Sequence, residues 1–574
     1  MVSKGKSHWI KTLKQILFVL AALFLINWLS SIYYVRWDWS SEKRYSLSDE
    51  SKTLLKSVND EIFFNVYLEG DFPAGFMRLK QKTKEMLNEF QAYNKNIRFR
   101  FINPNQEKDN NKRNQLYQEL IDKGLTQTDL QVKTKDGLKQ QLIFPGAIVS
   151  HNMNELPMDL LKTQLGVPPE AVLNNSIQSL EFSIASAIKR LINKTKPDIA
   201  FLKGHGELGR EFIADITEAL TKDYRLNEVE ILGNPKSLIE NFGTDSMQPK
   251  YATIIIAKPE KVFTEADKYV IDQYIMIGGK ILWLIDPVDA SMDSLKNNQS
   301  IMAISKYLNL DDQLFTYGVR LKNNLIMDLN SRKIPLRTGQ VGTQAKIDFF
   351  PWFYFPAIGP QSNHPIVKNL NSISTEFVSS IDPLSKSGIV KTILLSSSNY
   401  SRTINTPAII SFDILQSEPD PRFFNQGSQS IAVLLEGEFE SVFKNRFSPL
   451  SNEFQNSKFL ENSVSTQMIV ITDGDLIKNQ LHRTQFYPLP LGYDQYTGQT
   501  YGNKDFILNA MNYLTDGKGL ISLRNRELKL RLLDKAKITK DRIYWQLLNS
   551  LVPIMLVILF GIILFMIRRK KYAG

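Results

Sequence analysis

ATIIIAKPEKVFTEADKYVIDQYIMIGGKILWLIDP, residues 252–287, decides the fold class of this chain. Ala252 to Ala257 is an apolar, β-branched run of strand length, and Lys280 to Ile285 is a second such run, stopped by Asp286-Pro287. Between them, Val270, Ile271, Tyr274 and Ile277 recur at helical spacing over Ala266 to Ile277, and Gly278 is placed to close that helix. A strand, a helix and a strand in so few residues form a βαβ unit with a parallel sheet, because only a crossover helix returns the chain in the same direction.

The same alternation extends upstream. After the boundary at Lys196-Pro197 the pattern predicts a strand over Ile199 to Leu202, a helix over Leu208 to Leu220 and a strand over Leu226 to Ile231. Before that boundary, a strand at Ile62 to Leu68, a helix at Met77 to Phe90 and a strand at Ile97 to Ile102 open a smaller α/β unit, compatible with a thioredoxin-like arrangement. Ser48 is a candidate N-cap of a helix preceding them, with Ser51 competing for the role. A helix over Asn111 to Gly124, a strand pair over Gln131 to Val149 turned at Asp136-Gly137, and one helix from Asn174 to Asn193 complete that unit. Downstream, strands are expected at Ile389 to Ser396, Ile431 to Leu435 and Met468 to Ile471, with a loop over Glu436 to Gln467 and a helix at Asp505 to Leu514. Asn323 to Gly359 is poor in periodicity and rich in aromatics, with Trp352 and Phe353 in the cluster from Phe349 to Phe355. Such a run is a buried strand, a packed loop, or an exposed surface for a membrane or protein partner.

Two long uncharged stretches lie near the ends. Gln15 to Val35 sits between Lys14 and Arg36, and Ile543 to Ile567 is followed by Arg568, Arg569, Lys570 and Lys571. Each is long enough to span the roughly 30 Å hydrocarbon layer as a helix. The basic flanks hold both termini in the cytoplasm, which turns the 506 residues from Trp37 to Arg542 outward. Of 70 basic residues, five precede Trp37 and four follow Arg542, leaving 61 against 59 acidic residues between them. That balance gives no electrostatic basis for nucleic-acid binding. The chain has no cysteine, which excludes disulfides, thiolate nucleophiles and cysteine-held metal clusters.

The expected fold class is therefore α/β, a multi-domain extracytoplasmic region with mostly parallel sheets, flanked by one N-terminal and one C-terminal transmembrane helix. Its expected order is a tail (1–14), an anchor (15–35), a first α/β domain (36–195), a parallel-sheet part (196–300) and remainder (301–520) of a second domain, a basic stalk (521–542), a second anchor (543–567) and a basic tail (568–574).

Candidate site residues follow from strand ends, where open α/β sheets bind ligands. Gly204, His205, Gly206 and Glu207 follow the strand at Ile199, and a helix N-terminus placed directly after them would favour an anion. Asp286, Asp473 and Asp475 follow two further strands and are either solvent-facing turn residues or ligand contacts. His205 itself is a turn residue, a ligand or partner contact, or a base. No catalytic set, metal site or cofactor is expected. The chain contains no G-x-x-x-x-G-K-[ST] phosphate loop and no G-x-S-x-G elbow, so neither ATP hydrolysis nor that hydrolase chemistry is written into it.

Several separated segments carry a resemblance. VYLEGDFPAGFMRLK from Val66, NIRFRFINP from Asn96, FLKGHGE from Phe201, GGKILWLIDP from Gly278, VITDGDLI from Val470 and GNKDFILNAMNYL from Gly502, with the N-terminal anchor and Ser46-Leu47-Ser48, resemble the gliding-motility ABC transporter auxiliary family GldG of Bacteroidota. The resemblance implies a non-enzymatic, substrate-binding-type auxiliary subunit in the inner membrane, two-pass with a periplasmic domain, working with a multi-spanning permease, GldF, and a cytoplasmic ATPase, GldA. A structural, protein-binding component of a gliding or envelope machine is the alternative.

Overall fold

The computed structural model describes residues 16–25, 27, 46–107, 109–134, 137–162, 167–193, 195–341, 344–450, 458–516, 519–525 and 540–572. The tail 1–14, the rest of the N-terminal anchor, Asp136 of the predicted turn, 451–457 of the predicted loop and 526–539 of the basic stalk lie outside them.

The first sheet contains β1 (Ile62–Val66), β2 (Ile97–Phe101), β3 (Gly146–His151) and β4 (Asn154–Asp159) in the order β2-β1-β3-β4. β1 and β2 are parallel because α1 (Ala74–Tyr93) crosses between them; β3 and β4 add antiparallel. Leu79, Leu87 and Phe90 of α1 share one core with Ile184 and Ile188 of α2 (Leu180–Ile192). The single helix expected over Asn174 to Asn193 is instead two, Pro169–Gln178 and Leu180–Ile192, broken at Ser179, whose hydroxyl bonds back to the Ser176 carbonyl. Ser48 does cap the helix Asp49–Lys56, accepting from the Ser51 amide.

The second sheet has seven strands. β5 (Asp198–Lys203), β6 (Arg225–Glu230), β7 (Thr253–Ala257), β8 (Ile281–Leu284), β9 (Ile389–Ser396), β10 (Ser430–Gly437) and β11 (Thr466–Ile471) lie in the order β9-β10-β11-β8-β7-β5-β6. The five strands from β11 to β6 are mutually parallel, whereas β9 and β10 add antiparallel at one edge, so the sheet is mixed. Alternate residues of β7 and β8 face opposite cores. Ile255, Leu282 and Leu284 meet α3 (Ala214–Thr221) and α5 (Asn503–Asp516), while Ile254, Ile256, Ile281 and Trp283 meet α4 (Glu265–Met276). Covering both faces is what makes these strands apolar throughout rather than alternating.

The aromatic run resolves as a long hairpin, Ser331–Val341 paired with Gln344–Ile358, with register shifts near Ser331 and Lys333 where Pro351 and Pro356 enter the strand. Trp352 and Phe353 are 0% and 3% exposed. Their rings pack at 5.4 Å on Phe412 and 5.7 Å on Phe424. The partner-surface reading of Trp352 and Phe353 is thereby corrected, since the run fills a core of its own.

The C-terminal segment is a separate unit. Its helix Arg542–Tyr572 runs past the expected end at Ile567, and Arg542–Lys570 is long and apolar enough to cross a membrane. Of the N-terminal span, the described helix Ile16–Leu25 is apolar but only ten residues long.

Replacing Trp352 by Ala should cost about 3–5 kcal/mol of stability in the central region, because a fully buried indole leaves a cavity. Thermal melts of the purified chain should show the loss, and an unchanged melt would mean that the aromatic core does not bear on stability.

Candidate functional site

The carboxyl ends of β5, β7, β8 and β11 converge on one edge of the sheet, and the expected site residues sit there. The strand order reverses between β5 and β7, the position at which open parallel sheets leave a crevice. His205 and Glu207 follow β5, Lys258 follows β7, Asp286 follows β8, and Asp473 and Asp475 follow β11.

Around β7, β8 and β11 the carboxylates gather on a lysine. Lys258 Nζ lies 2.5 Å from Asp475 Oδ2 and 3.2 Å from Asp286 Oδ2. Lys478 Nζ reaches Asp475 Oδ1 at 3.3 Å. The backbone supplies the remaining donors: the Gly474 amide donates to Asp286, and the Asp475 and Glu376 amides donate to the two oxygens of Asp473. Gly474 has to be glycine, because a Cβ there would stand 2.7 Å from the Lys258 side chain. Burial opposes a charge on Lys258, but Asp286 and Asp475 override it and push its pKa up. Asp475 is held below the usual carboxylate range, the two lysines outweighing burial. Burial, reinforced by Asp286 and Asp475, drives Asp473 well above that range. Asp286 also rises, its burial outweighing the longer contact to Lys258.

At β5 the geometry is different. Gly204 and Gly206 take φ of +108° and +77°, conformations that only glycine adopts without strain, and the chain between them turns His205 inward. The His205 ring stacks on Phe263 at 3.8 Å. Its Nε2 lies 3.3 Å from Asp267 Oδ2 and its Nδ1 3.5 Å from Glu207 Oε1. Asp267 is fixed in turn by the Thr264 hydroxyl (2.7 Å) and the Gly233 amide (2.8 Å). The His205 carbonyl accepts from the amides of Glu260 and Lys261, tying the end of β5 to the loop after Lys258. Burial opposes the imidazolium, but Asp267 and Glu207 override it and push His205 up to about 9. Asp267, buried yet bonded to His205, Thr264 and Gly233, is held at about 2.

The helix expected directly after Glu207 does not start there. The Leu208 amide donates to the Ala257 carbonyl, Gly209 is extended, and a 3₁₀ turn over Arg210–Phe212 precedes α3 at Ala214. The N-terminus of α3 therefore does not follow the loop directly, and the helix end beside His205 is that of α4, through Thr264 and Asp267. Trp352 and Phe353 belong to the separate aromatic core. Lys258, Lys478, Asp267 and Phe263 were missing from the expectation. Lys258 could have been found, since it follows a strand as directly as Asp286 does; Asp267 lies inside a helix and its role depends on tertiary folding.

Chemically, the arrangement joins strand ends. The Asp286 and Asp475 carboxylates are each engaged by lysine, Asp473 is bonded to backbone amides, and His205 is clamped between carboxylates. Among the described residues no group of three His, Asp or Glu side chains is placed to hold a metal ion.

A family model described as an ABC-type uncharacterized transport system matches residues 196–510, more than half of the chain. The chain belongs to this family of ABC transport auxiliary proteins. Membership places it beside the components of an ABC transporter. A second model, described only as a domain of unknown function, matches residues 41–150. Along nearly its whole length the chain is similar to an uncharacterized protein of Borreliella burgdorferi, at 21% identity over 564 residues, covering 96% of this chain and 97% of the relative. Among solved structures it is similar to the mmIFT52 N-terminal domain, with 13% identity and a TM-score of 0.30 over 55% of this chain and 97% of that one.

The histidine clamp predicts a pH dependence. In the folded chain His205 titrates near 9, and unfolded histidine near 6.5. Its contribution to stability is complete below about pH 6.5 and is lost as pH rises through 9. The stability difference between the wild type and His205→Asn should shrink by on the order of 3 kcal/mol across that window. Denaturant melts from pH 6 to 9.5 measure it, and a difference that stays constant with pH would contradict the clamp.

Proposed function

We propose that this protein is a non-enzymatic auxiliary subunit of an ABC transport complex. It is tethered in the bacterial inner membrane near both ends, with the α/β region in the periplasm, and couples that region to a permease and a cytoplasmic ATPase. The observation that carries this reading is the family match over residues 196–510. Three features support it. The helix Arg542–Lys570 can anchor the chain, the basic residues beside both apolar stretches favour cytoplasmic ends, and the sequence holds no phosphate loop for hydrolysing ATP. The engaged carboxylates and histidine at the strand ends fit a scaffold better than a catalyst. The finer assignment, to gliding motility with GldF as permease and GldA as ATPase, rests on the motif resemblance, from FLKGHGE at Phe201 to GNKDFILNAMNYL at Gly502.

Affinity isolation of the tagged chain from gently solubilised membranes tests the reading. A multi-spanning permease and an ATPase should co-purify, and protease added to spheroplasts should cut between the two anchors while sparing a C-terminal tag. Isolation of the chain alone, under conditions that keep other membrane complexes intact, would count against it.

A further inference from the structure

The hairpin that supplies Trp352 and Phe353 to the aromatic core has two unlike faces. Before those two residues its register is regular: Lys333 stands opposite Pro351, Ile334 opposite Phe350, Pro335 opposite Phe349, Leu336 opposite Asp348 and Arg337 opposite Ile347. Residues opposite one another in an antiparallel pair lie on the same side of it. Ile334 and Leu336 pack in the aromatic core, so theirs is the inner side. The outer side holds Lys333, Pro335 and Arg337 on one strand and Ile347, Phe349 and Pro351 on the other. A strand pair with one side in a core ordinarily turns polar residues outward, yet here Ile347 and Phe349 take neighbouring outward positions and are 48% and 44% exposed, against 6% for Ile334.

The charges of the hairpin divide by side as well. Arg332 is buried and paired with Glu376. Asp348, the only acidic residue from Ser331 to Pro351, lies on the inner side and is engaged by the Thr338 hydroxyl and by Lys346 at 2.9 Å. Lys333 and Arg337 are left exposed on the outer side with no acidic partner among the described residues. The outer face therefore sets two apolar side chains on one strand against two cations on the other, a combination that is matched by a partner with an apolar interior and an anionic surface. Six residues fall well short of the roughly 800 Å² that each side of a stable protein complex buries. A bilayer needs no such area once the chain is held at it, because a tether makes each further contact intramolecular, and the helix Arg542–Lys570 is long and apolar enough to be that tether.

We propose that the outer face of this hairpin docks on a membrane surface containing anionic lipids, with Ile347 and Phe349 entering the headgroup boundary and Lys333 and Arg337 meeting lipid phosphates. The inference rests on the membrane tether of the preceding proposal and not on its transport partners.

The chain has no cysteine, so Ala345→Cys, exposed on the same side as Ile347, takes a single environment-sensitive dye while leaving the four docking side chains in place. The full labelled chain is reconstituted in vesicles of phosphatidylcholine, with or without about a third of phosphatidylglycerol, that carry nitroxide-labelled lipid. The nitroxide should quench the dye in the anionic vesicles and much less in the neutral ones. The docked fraction should fall on the order of tenfold in Lys333→Gln/Arg337→Gln, and the unsubstituted face should lose quenching when salt is raised, which needs no variant to fold. Flotation of the vesicles after an alkaline wash reads the tether separately. A chain that floats with its dye unquenched, or quenched equally with and without the two cations, overturns this inference and leaves the tether standing; a chain that does not float overturns both. Shielding of the dye by a protein in native membranes, without quenching by lipid, assigns the face to a protein partner and overturns the inference as well.

Discussion

An ammonium group at the carboxyl edge of a parallel sheet is hard to bury, because the desolvation of its charge must be offset by carboxylates at contact distance. Lys258 meets that condition through Asp475 and Asp286, which arrive from two other strands. The pairing joins β7, β8 and β11 at the one end of the sheet where loops leave in different directions. Gly474 allows the close approach, and its amide bonds to Asp286. The loop that begins at Lys258 then carries Glu260 and Lys261 to the His205 carbonyl, so the end of β5 is positioned through the same segment.

This closure changes what the fold can be used for. In an open doubly wound sheet the crevice at the strand reversal is the natural ligand site. Here it is occupied by the chain itself, with an imidazole stacked on Phe263 and an ion cluster beside it. A cleft of about 280 Å³ lies instead at the seam between the first and central cores. The strand ends are thus internally paired, through Lys258 with Asp475 and Asp286 and through His205 with Asp267.

Much of this was legible in the residues. The apolar runs at Ile199, Ile254, Ile281, Ile431 and Met468 are strands because each is buried on both faces, and that produces a continuous signal without alternation. The helix over Glu265–Met276 was legible from Val270, Ile271 and Tyr274, with Gly278 just beyond it at positive φ. Other features were not. The antiparallel addition of β9 and β10 follows from pairing across long connections, which local pattern does not encode. The hairpin over Ser331–Ile358 was obscured because Trp352, Phe353, Tyr354 and Phe355 are all buried, so no face alternates. The late start of α3 reflects the Leu208 amide pairing with Ala257, a contact across 49 positions. Strand-end rules found Asp286, Asp473 and Asp475 and apply equally to Lys258, but its pairing with Asp286 and Asp475 depends on the register of three strands.

The central claim is that Lys258 organises the strand ends, and hydrogen exchange at the Gly474 and Asp475 amides tests it most directly. In the intact chain these amides should exchange as slowly as those of the adjoining strand Thr466–Ile471, and Lys258→Met should speed them at least about tenfold while leaving that strand protected. Exchange in the wild type as fast as in an exposed loop, or no change in the variant, would contradict the account.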